Sequence, residues 1–335
     1  MRILRLGPLF AFTLLSCVTT ILAQQSPLLA PTRDPTAIAF LQKSVAAMAL
    51  SAPLDSSATG NITIVEGSTT ESGSISIQTL GTGDTAETVD LPDGQRAVVY
   101  SYGDAKEVNG TQSTHPPVEL IVVDQCADFP LPLLSAILGN PEEASRYLGE
   151  ETLNGRSVEH IQVWNSFASK PRLQKLASFS MRDIWVDSTS HLPVRISYSR
   201  RAGEGAIPAI PVAISFSDYK NVSGVLYPFQ INKSYNGTPW QTITIQSVSF
   251  NTGLTDAQFQ TEEGGENAPL LGFRPCSSFV ARLRMAPDNG TAAVRLSRSG
   301  GTRNEEQSRS EHPARNPDHV ESRPQRYGPQ LQRRL

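Results

Sequence analysis

The residues of this 335-residue chain that could do covalent chemistry are few, and their spacing argues against it. Ser217-Asp218-Tyr219-Lys220 spells S-x-x-K, which in penicillin-binding enzymes opens a helix and sets Lys one turn from a nucleophilic Ser. Here the four residues end a strand, and no Lys-Thr-Gly stands elsewhere. His115, His160 and His191 fall on a loop, a strand and a turn, without an acidic partner at fixed spacing, so surface or half-buried roles are expected for them. His-Glu-x-x-His, Gly-x-Ser-x-Gly, Walker and dinucleotide-binding patterns are all missing. Two isolated thiols, Cys126 and Cys276, have no neighbouring His and do not complete a zinc shell, so neither metal nor cofactor is expected. These observations point to a protein that is not an enzyme. Trp164, Trp185 and Trp240 lie on predicted strands, where packing is the commoner use and ligand stacking the alternative.

The start of the chain sets its compartment. MRILR supplies positive charge, and an apolar run follows to Ile21-Leu22-Ala23, the pattern of a secretory signal over residues 1–23. Leu14-Leu15-Ser16-Cys17 also has the form of a lipobox, which would place a lipid on Cys17 and make the product an outer-membrane lipoprotein. Val18 to Ala23 stay apolar where a mature lipoprotein turns polar, which favours cleavage after Ala23 and a periplasmic protein. Export leaves Cys126 and Cys276 as an even pair in an oxidising compartment, and one disulfide between them is expected. Asn61, Asn109, Asn221, Asn232, Asn236 and Asn289 begin N-x-S/T triplets, which matter only in a eukaryotic secretory host. From Gln24 to Phe273, 15 Lys and Arg stand against 26 Asp and Glu, a balance of −11. From Arg274 to Leu335, 12 Arg stand against 6 acids, within a formal net charge of −3 for the whole chain. An acidic folded part is a poor partner for nucleic acid. The Arg, Ser, Pro, Gly and Glu composition of 274–335 predicts a disordered basic tail.

Between these ends the pattern is that of a β-meander. Asp34 as N-cap, Pro35 at the first helical position, and Ile38, Leu41, Val45 and Met48 on one stripe predict an amphipathic helix. Strands follow at 60–67 and 72–81, with hairpins over 87–103, 146–164, 181–199 and 212–231 and a last strand over 239–250. Asp93-Gly94, Asn154-Gly155 and Ser223-Gly224 mark three of the turns. Hairpin-linked neighbours imply one antiparallel sheet. Leu131 to Leu138 and Ser169 to Ser180 read as short helices that cap its apolar face. In the last strand Ile243 and Ile245 share a parity that Val248 and Phe250 do not, which predicts a bulge near Gln246-Ser247.

Four stretches together resemble a known family: LGEETLNGRSVEHIQV (148–163), IWVDSTSHLPVRISYS (184–199), FSDYKNVSGVLYPFQI (216–231) and ITIQSVSFNTGLTDAQF (243–259). They are similar to the LolA/LolB-like lipoprotein-carrier superfamily, over about residues 34 to 260. The resemblance implies a mainly β fold, an antiparallel half-open barrel with helices over its concave face, and a cavity that shields acyl chains in the true carriers. The longer chain and the Pro116 to Asn140 insertion with Cys126 depart from that pattern.

Inward-facing Ile196, Tyr198, Ile214, Phe216, Tyr227, Phe229 and Ile231 are the expected ligand surface, since burial of each acyl methylene contributes about 0.8 kcal/mol. The same residues could instead pack on the chain's own helices. The expectation is therefore an exported carrier or binding protein for lipid, an acylated protein or another apolar ligand. The alternative is an envelope scaffold with a filled core that binds a protein partner through its edge strands or tail.

Overall fold

The structure, a computed structural model, describes residues 27–81, 83–101, 103–201 and 209–261. All of them fall in one compact unit, Met1–Arg284. The expected signal segment, Cys276 and the basic tail lie outside the described residues.

A first meander runs β1 (Asp55–Glu66), β2 (Thr69–Leu80), β3 (Asp84–Leu91), β4 (Gly94–Ser101), β5 (Asp104–Asn109) and β6 (Gln112–Thr114). A second runs β7 (Glu143–Leu153), β8 (Arg156–Asn165), β9 (Arg182–Asp187), β10 (Pro193–Arg200), β11 (Ile210–Val222), β12 (Val225–Tyr235) and β13 (Thr238–Phe250). The pairing of β1 with β13 joins them into a single 13-stranded antiparallel sheet, ordered β6-β5-β4-β3-β2-β1-β13-β12-β11-β10-β9-β8-β7. The sheet does not close on itself, so β6 and β7 are its two edges. This is the open, helix-bearing antiparallel half-barrel expected from the sequence. At Asn154-Gly155 both residues take positive φ, 52° and 76°, as the two-residue turn between β7 and β8 requires.

Helix α1 (Pro35–Met48) starts as predicted, with the Asp34 carboxylate accepting from the amides of Thr36 at 2.8 Å and Ala37 at 3.4 Å. A further bond from the Tyr147 amide to Asp34, 3.1 Å, ties the helix start to β7. The chain leaves the sheet at β6 and re-enters at β7, the opposite edge, so the connection has to cross a face of the sheet. It does so as α2 (Val118–Asp124) and α3 (Pro130–Gly139), the latter packed on α1.

The core is the layer between these helices and the inner face of the sheet. Ile161, Ile184, Ile196 and Ile214 stand in cross-strand register from β8 to β11, and each is fully buried. Burial of an Ile side chain contributes about 1.5 to 3 kcal/mol, so such a row strongly specifies the register. Leu41, Met48, Leu134 and Ile137 cover it from the helices. The bulge lies where parity predicts: Thr59 pairs with Ser247 and Gly60 with Ile245, which leaves Gln246 unpaired with β1. Gly60 is required beside it, since a Cβ there would sit 2.4 Å from the Thr244 carbonyl oxygen.

One local expectation is corrected, and two further elements emerge in the structure. Ser169 to Ser180 is not a full helix but a 3-10 turn over Pro171–Leu176, after which Leu176, Ala177 and Phe179 dive into a small cluster with Phe167. Helix α2 went unforeseen because VELIVVD is short and rich in β-branched residues, a composition that reads as strand. The β5–β6 hairpin was also unforeseen, because DAKEVNGTQST lacks apolar alternation.

Candidate functional site

The expected ligand residues Ile196, Tyr198, Ile214, Phe216, Tyr227, Phe229 and Ile231 all lie on the inner face, none more than 8% exposed. They share one hydrophobic cluster with Leu41 and Met48 of α1 and Leu131 and Leu134 of α3. They would meet a ligand only if those helices moved away from the sheet.

A cavity of about 580 Å³ opens beside this core, over the first meander, and none of the expected ligand residues lines it. Its apolar wall includes Ile62, Ile64, Val89, Val98 and Trp240. Phe129, Cys126, Asp124 and Asp128 close it from the α2–α3 connection, while Arg200, Lys233 and Tyr235 enter from β10 and β12. Strand register explains how polar residues reach this inner face. Ala58, Ile77, Glu87, Val98, Glu107 and Thr114 are successive cross-strand partners from β1 to β6, so a row that is apolar at the core turns acidic toward the β6 edge. A second row joins Ile214, Lys233, Gln241 and Ile64. Lys233 therefore continues the inward parity of Tyr227, Phe229 and Ile231.

The cavity floor is a set of ion pairs. Lys233 Nζ lies 2.7 Å from Asp128 Oδ2, and Arg200 Nε lies 2.9 Å from Asp124 Oδ2. Tyr235 and Trp240 pack with ring centroids 4.8 Å apart. Burial alone would push the Lys233 ammonium down, but Asp128, together with Tyr235, Asp124 and Glu87, outweighs it and holds the group above the usual lysine range. Burial pushes the Glu87 carboxyl up to about 7, and Asp128 adds to the rise against the opposing effect of Lys233. Arg96, the remaining cation of the lining, is taken by Asp93 at 2.7 Å and Glu66 at 3.3 Å on the rim.

The connection that carries the two aspartates is pinned on several sides. Arg182, almost wholly buried, donates to the carbonyls of Val122 at 2.8 Å and Val123 at 3.1 Å at the end of α2. Gln125 Nε2 and the Cys126 thiol both donate to the Gly83 carbonyl, at 3.0 and 3.1 Å. Cys126 takes a left-handed φ of 60°, which turns the chain between the aspartates. Its expected disulfide partner lies outside the described residues.

Other residues that the sequence singled out sit elsewhere. Lys220 pairs with Asp218 at 2.9 Å on β11, and Ser217 is exposed. His160 is half-buried, stacked on Trp185 with centroids 4.4 Å apart and flanked by Asp183 at 3.1 Å and Glu151 at 3.5 Å. Those acids come from β9 and β7, so sequence spacing could not reveal them. Trp164 is buried and donates to the Leu28 carbonyl, 2.9 Å, whereas Trp240 is the tryptophan in the cavity wall. Among the described residues no group of three or more His, Cys, Asp and Glu could hold a metal ion.

No protein-family model and no curated protein matches the sequence. Among solved structures, the chain is similar to a putative outer membrane lipoprotein-sorting protein domain from Vibrio parahaemolyticus, at 13% identity and a TM-score of 0.47, over 66% of this chain and 95% of that one. It is similar to a LolA superfamily protein from Nitrosomonas europaea, at 10% identity and a TM-score of 0.47, over 67% and 97% of the two chains. A DUF1329 family protein from Desulfovibrio piger is similar at 14% identity and a TM-score of 0.43, over 67% and 96%.

Proposed function

We propose that this protein is an exported, non-enzymatic binding protein or carrier for an amphiphile in the cell envelope. The observation that carries the reading is the cavity of about 580 Å³, apolar on one wall and ion-paired on its floor. Its volume falls in the range of about 300 to 1,000 Å³ usual for small-molecule sites. An amphiphile would lay its chain along Ile62, Ile64, Val89 and Val98 and its polar end toward Lys233 and Arg200 with their aspartates. The buried face that includes Phe216, Tyr227 and Phe229 would extend the apolar path if α1 and α3 lifted.

The rival scaffold reading has less to work with. Edge strand β6 is only three residues long, and the β7 edge is partly covered where Arg33 bridges to Ser145. Native mass spectrometry of protein purified from its own membrane fraction tests the proposal. A carrier yields a co-purified lipid or acylated species that disappears on delipidation and returns on mixing with envelope lipids. Protein that carries nothing, and that also fails to bind a fluorescent fatty acid, refutes it.

A further inference from the structure

The floor of the cavity has more acid than base to face a ligand. Each lining cation is already held by a carboxylate: Lys233 by Asp128, Arg200 by Asp124 and Arg96 by Asp93. Glu87 and Glu107 also line the cavity, on either side of Val98 in the same cross-strand row, and neither makes an ion pair among the described residues. Asp128 is buried to 6% exposure, and although its Oδ2 takes Lys233, its Oδ1 accepts no hydrogen bond among the described residues. A buried acceptor left without a donor costs about 1 to 3 kcal/mol, and more when charged. Asp128 also lies close enough to disfavour ionisation of Glu87, a repulsion that a cation between them would relieve.

We propose that Glu87, Glu107 and the free oxygen of Asp128 form a headgroup subsite that selects amphiphiles with a primary ammonium group over anionic ones. This deepens the amphiphile reading and rests on it. A primary ammonium brings one positive charge and three N–H donors, which suits carboxylate acceptors that line one cavity from β3, β5 and the α2–α3 connection. An anionic headgroup would have to displace Asp128 from Lys233 or Asp124 from Arg200, and would leave a buried carboxylate unpaired. A quaternary ammonium offers charge without donors and would satisfy the subsite only in part.

The test is calorimetric titration of the exported chain with dodecylamine, dodecyl sulfate and dodecanol, each below its aggregation limit. The expected result is at least about tenfold tighter binding of the amine than of dodecanol, with the sulfate weakest, since tenfold corresponds to about 1.4 kcal/mol. Glu87→Gln should bring the amine down to the affinity of dodecanol, and Glu107→Gln, at a half-exposed position that tolerates change, should lower it about threefold. Gln230→Glu, on the outer face of β12, should leave amine binding as in the wild type. Equal affinity for amine and sulfate, or an amine preference that survives both Gln variants, overturns the subsite while the amphiphile reading stands. Failure of every probe to bind overturns both.

Discussion

Asp55 ties the start of β1 to the segment that leaves β13, and its removal is a demanding test of the fold. At 5% exposure, its carboxylate accepts from the Thr252 amide at 2.6 Å, the Thr252 hydroxyl at 2.7 Å, the Gly253 amide at 3.0 Å and the Leu254 amide at 3.3 Å. Its backbone carbonyl takes the Asn251 amide at 3.0 Å. Hydrogen bonds to a charged group contribute about 1.5 to 3 kcal/mol each, but Thr252 and Gly253 are exposed and water can replace part of what they lose. Asp55→Ala should therefore cost about 3 kcal/mol and not the full sum, with Asp55→Asn between it and the wild type. At about 2 to 4 °C per kcal/mol for a domain of this size, the alanine variant should melt about 6 to 12 °C lower at neutral pH by circular dichroism or calorimetry. Burial pushes this carboxyl up, but the hydrogen bonds from Thr252, Gly253 and Leu254 outweigh it and hold the folded value below the ordinary one. The stabilisation is thus present above the unfolded value of about 3.9 and is lost as pH falls through the lower folded value. The gap between wild type and Asp55→Ala should be full at neutral pH and should narrow at about pH 3. A gap under about 1 °C at neutral pH, or one that persists undiminished in acid, refutes the reasoning.

Asp128→Asn leaves the Lys233 ammonium without its charge partner, 2.7 Å away, and should cost about 3 to 5 kcal/mol in urea unfolding; adding Lys233→Met should recover most of it, and a loss under about 1 kcal/mol is the contrary result. Gly73→Ala would set a Cβ 1.9 Å from the Asp90 carbonyl oxygen and should destabilise the β2–β3 pair by about 1 to 3 kcal/mol, whereas Gly139→Ala meets no atom within 4 Å and should be neutral or slightly stabilising. Phe229→Glu puts a charge into the core and should lower stability by more than about 3 kcal/mol, while Gln230→Glu, one residue on and facing outward, should change it by less than about 0.5 kcal/mol. A Cys126–Cys276 disulfide would replace the bond that the Cys126 thiol donates to the Gly83 carbonyl; thiol labelling of the unreduced, denatured chain from Gln24 onward should then find neither cysteine reactive, and two labelled thiols would exclude it.

The part of the molecule that was legible in the sequence is the part where hydrophobic parity coincides with burial. Val212, Ile214 and Phe216, then Tyr227, Phe229 and Ile231, share one buried parity, with Ser215, Ser217 and Gln230 on the other, because one side faces the helices and the other mostly faces water. The same logic located the bulge at Gln246, where the buried parity changes from Ile245 to Val248. The cap of α1 was legible for a different reason, since Asp34-Pro35 is a local signal that needs no tertiary partner. The cavity wall was hidden because its inward residues are Thr85, Glu87 and Val89 on β3 and Arg96, Val98 and Tyr100 on β4. A strand that puts charge inward shows no hydrophobic alternation. The one available hint was Lys233, which keeps the inward parity of β12 two residues beyond the apolar run.

What placed the charges opposite one another was topology, which no local pattern reports. Because β1 pairs with β13, the sheet's free edges are β6 and β7, and the chain between them must travel from one edge to the other. A path around the outside would leave the apolar inner face in water, so the crossing runs over that face as α2 and α3. Its polar elbow, Asp124 to Asp128, then falls where β10 and β12 run out of apolar residues and present Arg200 and Lys233. Asp128 and Lys233 are 105 positions apart, yet the crossing and the strand parity together bring them to 2.7 Å. The helices fill the inner face over the second meander and leave a cavity over part of the first, between the elbow and β3 to β5. A cavity with an apolar wall and a charged floor is thus the consequence of one long crossing on an open sheet, and a shift of the α2–α3 connection would alter the site while leaving every strand pair intact.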